Sequence, residues 1–88
     1  MARLSKRTVD VLKPAAKDYF EWDADMPGFG VRVMPTGRKT YMIQYRDDGG
    51  RTRRKRLGRH GVVTAEEARL EARGLLASIS RGANPSED

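Results

Sequence analysis

The tetrad Asp47-Asp48-Gly49-Gly50 constrains this chain more than any other stretch, because two β-prone runs, Lys39 to Arg46 and Arg51 to Leu57, flank it directly. Such a cluster supplies the positive φ angles a tight reversal needs, so the spacing predicts a β-hairpin within residues 38–59. That hairpin is also where the charge lies. It carries nine basic side chains against the two acids Asp47 and Asp48, a net of +7, whereas the rest of the chain carries nine basic and ten acidic residues, a net of −1. The formal charge of +6 therefore belongs to one ribbon. An excess confined to one element is the usual footprint of a polyanion-binding face, with nucleic acid ahead of acidic membrane surfaces.

At 88 residues the chain is sized for one small domain with a modest core and no deep catalytic cavity. It has no cysteine, so a disulfide framework and a thiolate metal site are both excluded. No apolar run approaches the ~20 residues of a membrane span, and Met1-Ala2-Arg3-Leu4-Ser5-Lys6-Arg7 lacks the apolar stretch of a signal peptide. The expectation is a soluble, cytoplasmic chain with no membrane partner.

Along the chain, Ser5 reads as an N-cap with Leu4 stapling against Val9, which predicts a short helix over about residues 6–12, ended by Pro14. Lys6, Arg7 and Lys13 on it are expected to be solvated. Residues 19–22 alternate weakly and predict a short strand. The acids around it, Asp18, Glu21, Asp23 and Asp25, have no nearby histidine to complete a metal set, so a solvated acidic edge is expected rather than a metal site or a catalytic pair. After the turn Met26-Pro27-Gly28, a strand is predicted from Phe29 to Met34, with Phe29, Val31 and Val33 on one face. Neither glycine-rich stretch is a phosphate loop. The dinucleotide fingerprint needs glycine where Val33 sits, and a P-loop ending at Gly37 needs glycine at Arg32 and lysine at Arg38.

The hairpin's first strand alternates Tyr41, Ile43 and Tyr45 against Thr40, Met42, Gln44 and Arg46. The aromatic and aliphatic set must face the core, which leaves Arg32, Thr40, Met42, Gln44 and Arg46 on the opposite face. Thr52, Arg54 and Arg56 join them if no bulge interrupts the next strand; Arg53 and Lys55 then share the side of Leu57, and a bulge would exchange the two sets. Gly58 to Gly61 is expected to be a loop in which His60 packs or forms a hydrogen bond. Thr64 and Glu67 form a capping box for a long helix whose stripe is Ala68, Ala72, Leu75, Leu76 and Ile79, with Arg81 and Gly82 as stop signals. Residues 1–82 thus read as a domain and residues 83–88 as the start of a linker.

This order predicts a two-layer α+β fold. A three-stranded antiparallel meander, plus a short extra strand, packs on a C-terminal helix, with a short N-terminal helix and one sheet face uncovered. On that face arginine suits guanine, glutamine suits adenine, and a methyl-bearing side chain suits thymine in a major groove. The candidate DNA contacts are Arg32, Thr40, Met42, Gln44, Arg46, Thr52, Arg54 and Arg56, to base or phosphate, with Arg38, Lys39 and Arg59 to phosphate. No catalytic residue, metal ligand or cofactor is expected. Two other readings remain open: a double-stranded RNA-binding module, whose order of elements is the same but whose last helix should start with positive charge, and a protein-interaction module binding an acidic partner.

Trp22-Asp23, then Pro27 to Val33, Gly37 to Tyr41, Gln44-Tyr45-Arg46, Leu57-Gly58-Arg59 and Thr64 to Arg69 together resemble the N-terminal arm-type DNA-binding domain of phage-integrase tyrosine recombinases. The resemblance runs from about Leu4 to Pro85. It departs from the family's pattern at Lys55, usually aliphatic, and at Asn84, usually aspartate. It implies a sheet laid in the major groove of double-stranded arm sites flanking an attachment site. It also implies a parent enzyme that integrates and excises mobile or prophage DNA, with self-association belonging to the full-length recombinase tetramer. The family's catalytic tyrosine belongs to a separate C-terminal domain, so Tyr19, Tyr41 and Tyr45 are not it.

Overall fold

A computed structural model describes residues 3–47 and 49–80. Its elements are α1 (Lys6–Asp10), β1 (Tyr19–Trp22), β2 (Phe29–Val33), β3 (Lys39–Arg46), β4 (Thr52–Arg59) and α2 (Ala65–Ser80). The four strands form one antiparallel sheet in the order β1-β2-β3-β4, so the predicted α+β meander with an extra strand and two helices is what forms. Among the described residues, no helix is long and apolar enough to cross a membrane.

Local chemistry explains most of the boundaries. Ser5 and Thr8 exchange side-chain and backbone hydrogen bonds at the start of α1, while Leu4 and Val9 are buried beneath them. The helix ends sooner than residue 12 because Lys39 Nζ donates to the carbonyls of Val9 (2.8 Å) and Asp10 (3.2 Å), satisfying the last acceptors from a neighbouring strand. In the hairpin turn, Asp47 Oδ1 accepts the N–H groups of Gly49 and Arg51, both at 2.9 Å, and Gly50 supplies φ +80°. Thr64 and Glu67 cap α2 reciprocally, at 2.9 and 3.0 Å. The stop signals at Arg81 and Gly82 and the linker at 83–88 lie outside the described residues.

The core forms on one face of the sheet. Phe29, Val31, Tyr41, Ile43 and Tyr45 are buried against Ala65, Ala68 and Ala72 of α2, whose small side chains let the helix approach the strands. Leu75, Leu76 and Ile79 continue that stripe, half-buried.

Strand β4 departs from expectation at its end. It runs through Arg59 instead of giving way to a loop at Gly58, and the pairing shifts so that Met42 faces Arg56 while Tyr41 faces Gly58. Leu57 is the extra residue of a β-bulge, packed against the core. Because the bulge follows Arg56, it does not exchange the two sets before it. Thr52, Arg54 and Arg56 stay opposite Arg46, Gln44 and Met42, and Lys55 sits opposite Ile43 on the helix side.

Candidate nucleic-acid interface

Among the described residues, the opposite face of the sheet carries no helix, since α2 packs on the side of Tyr41, Ile43 and Tyr45. Strand register assembles its residues in rows: Phe20, Arg32, Thr40 and Arg59 in one; Trp22, Gly30, Met42 and Arg56 in the next; then Gln44 with Arg54, and Arg46 with Thr52. Most of the predicted contacts are therefore brought together on one surface. The bulge adds Arg59 to it, because skipping Leu57 returns Arg59 to the side of Thr40.

Two expected contacts are not available there. Thr40 is on this face but only 5% exposed, closed in by its neighbours in the row. Lys39 has the parity of Tyr41 and lies opposite Val33, so it points to the helix side, where it holds the carbonyls of α1. Alternation alone marks Lys39 as belonging to the inward set.

The arginines differ in how far they are already neutralised. Arg32 donates to Asp18 Oδ2 from Nε, at 2.8 Å, and from Nη2. Arg53, on the helix side, pairs with Asp47 at 2.8 Å, and this contact, followed by the backbone donors of the turn, lowers the Asp47 carboxyl. Arg54 Nε donates to Gln44 Oε1 at 3.0 Å, and its guanidinium carbon stands 4.5 Å from the centroid of the Phe20 ring. Arg38, Arg56 and Arg59 bracket a cleft of about 390 Å³ at the bulge, with Thr40, Leu57, Gly58 and Val62 as its other walls. Among the described residues, no carboxylate pairs with Arg38, Arg46, Arg54, Arg56 or Arg59. Positive potential therefore rises from β1, which Asp18 immediately precedes, toward β4.

Sequence reasoning missed the aromatic floor of this face. Phe20 and Trp22 stack with centroids 5.1 Å apart and planes 6° from parallel, both half-buried on the edge strand β1. Trp22 lies over Gly30, where a Cβ would come within 2.5 Å of the indole. The signal was present in the position of Phe20 and Trp22 two residues apart, which puts both on one face of a strand.

Asp23 corrects the expectation of a solvated acidic edge. It is buried, accepting from Arg69 Nη2 (2.6 Å) and Nη1 (3.1 Å) and from the backbone N–H groups of Leu4, Asp25 and Met26. Burial alone would raise its carboxyl, but those donors outweigh it and hold the group at about 2. Arg69 also donates to the Leu4 carbonyl, so one ion pair ties α2, the N-terminal segment and the β1–β2 turn together. His60 takes the hydrogen-bonding role expected of it, between the Tyr41 hydroxyl (2.7 Å) and Asp10 Oδ1 (2.6 Å). Burial, then the charge of Asp10, pushes the Tyr41 hydroxyl up to about 12, so it is a proton carrier in no ordinary pH range.

No curated protein sequence matches the chain. Residues 4–88 match the family model of the Arm DNA-binding domain. Among the described residues, a four-stranded sheet with one helix-free face, on which arginines without a carboxylate partner gather, is a form suited to that task, and with nearly its whole length matched the chain belongs to the Arm DNA-binding domain family, the DNA-binding domain found in phage integrases.

Proposed function

We propose that the chain binds double-stranded DNA sequence-specifically, by laying the open sheet face into the major groove of arm-type sites that flank an attachment site. On this reading it is the N-terminal domain of a cytoplasmic tyrosine recombinase that integrates and excises mobile or prophage DNA. Residues 83–88 lead toward its core-binding and catalytic domains, and self-association belongs to the assembled recombinase tetramer. The single observation that carries the proposal is the register of β3 and β4, which sets Arg46, Arg54, Arg56 and Arg59 on one helix-free face.

The β3–β4 hairpin is the leading edge. A two-stranded ribbon fits the major groove, which is about 12 Å wide, and the carboxylate beside Arg32 keeps the β1 side the less attractive to phosphate. Arg38, Arg56 and Arg59 at the bulge cleft grip the sugar-phosphate backbone, while Met42, Gln44 and Arg54 are central enough to reach base edges. A double-stranded RNA grip through the start of α2 is disfavoured, since its first turn carries Glu66 and Glu67.

Amide chemical-shift mapping with attachment-flanking duplex tests the proposal. Shifts are expected along β3, β4 and the open-face amides of β2. Perturbation centred on α2 would overturn it.

A further inference from the structure

Resting on the reading of the open face as a groove-binding surface, we infer that Arg54 is a guanine-reading side chain positioned by Phe20 and Gln44. The Arg54–Gln44 pair then meets a base edge made of acceptors alone.

The hydrogen-bond inventory carries the inference. A guanidinium only donates, so the Gln44 amide atom 3.0 Å from Arg54 Nε is its oxygen, and the amide NH2 group is turned the other way. This differs from the pairing of glutamine with adenine expected from sequence, which needs Oε1 aimed at the adenine amino group. With Nε engaged, Arg54 keeps Nη1 and Nη2 for a ligand. Two parallel donors match guanine, which shows acceptors at both O6 and N7 in the major groove. Adenine sets an amino donor against one of them, cytosine offers only a donor, and thymine offers one acceptor. The NH2 group of Gln44, with no hydrogen-bond partner among the described residues, adds a third donor, which suits purine N7, guanine O6 or thymine O4 on the neighbouring base and is opposed by the amino group of a cytosine in that place.

Position is held from a second direction. The Arg54 guanidinium carbon rests 4.5 Å from the Phe20 centroid, Phe20 stacks on Trp22, and Trp22 is seated where Gly30 has no side chain. An exposed arginine ordinarily gives up much rotamer freedom when it binds. Here the restriction is already present in the free fold, so less is lost on contact with DNA.

The test uses the full 88-residue chain. Preferred sites are selected from a random duplex pool, and each selected guanine is then replaced by 7-deazaguanine, which lacks N7. At one guanine the replacement is expected to weaken wild-type binding by about 5- to 100-fold. Arg54→Met removes the donors, so it should show no penalty from the deaza base, while random-duplex affinity should fall by no more than about tenfold. Phe20→Leu and Gln44→Ala should each reduce discrimination at that base pair by about three- to tenfold with random-duplex affinity unchanged, and Phe20→Tyr should restore it. Gln44→Ala leaves the aromatic stack untouched, so it remains informative if Phe20→Leu fails to fold. A deaza penalty that persists undiminished in Arg54→Met, or full discrimination in Phe20→Leu and Gln44→Ala alike, overturns the inference. Sequence choice without guanine dependence sinks this inference alone, whereas a wild-type chain that ignores duplex DNA sinks the groove-binding reading with it.

Discussion

Arg69 Nη2 lies 2.6 Å from Asp23 Oδ1, joining residues 46 positions apart in a pair whose side chains are 5% and 0% exposed. Three chain segments converge on it, so the pair governs how the helix layer seats on the sheet. Removing one partner of a buried pair strands the other charge away from water. Arg69→Met is expected to lower stability by about 3–5 kcal/mol in urea denaturation. Arg73→Met, at an exposed position on the same helix, should change it by less than about 0.5 kcal/mol. Equal losses would show that the pair has no special weight.

The same carboxylate sets an acid limit. Its folded value of about 2 lies below the ordinary 3.8, so its contribution is fully present above about pH 4 and is lost as pH falls from there toward 2. That contribution is on the order of 2 kcal/mol. Asp10 acts in the same direction, held at about 2 by its hydrogen bond from Lys6 and then by His60. Thermal melts between pH 5 and 2 should therefore fall steeply for the wild type. In Asp23→Asn the melt should start lower and fall less, and an unchanged slope would remove Asp23 from the account.

Salt dependence measures how many cations meet phosphate. Five arginines on or beside the open face, Arg38, Arg46, Arg54, Arg56 and Arg59, lack a carboxylate partner among the described residues. If four or five phosphates are engaged, log affinity for duplex DNA should fall against log salt with a slope of about −4 to −5. A flat line is incompatible with a phosphate-anchored sheet.

Lys39 and Arg59 lie within the same basic ribbon yet separate into different roles. Arg59→Ala should weaken binding to all duplex sequences alike and reduce the salt slope by about one, with stability nearly unchanged. Lys39→Met removes the donor to the Val9 and Asp10 carbonyls and should cost about 1 kcal/mol of stability while leaving the salt slope as it was. The opposite assignment of effects would mean that Lys39 leaves α1 to meet DNA.

Much of the architecture was legible from short-range chemistry. The capping pairs Ser5 with Thr8 and Thr64 with Glu67, the Asp47 turn and the alternation of Tyr41, Ile43 and Tyr45 each depend on residues within a few positions of one another. Period-two alternation then assigns the strand residues before the bulge to a face without knowledge of their partners. That was enough to gather Arg46, Arg54 and Arg56 on one side, and the same rule, applied to Lys39 and to Phe20 and Trp22, would have sorted those three correctly as well.

The sequence by itself therefore determined the elements, their order and the face each strand side chain takes as far as Arg56, because caps, turns and pleat are local. Only the tertiary structure decided which charges remain available. Asp18 meets Arg32 across 14 positions, Asp23 meets Arg69 across 46, and the bulge at Leu57 returns Arg59 to the open face. Each of these depends on strand register and helix docking, which place distant residues within a few ångströms, and no local pattern encodes that proximity.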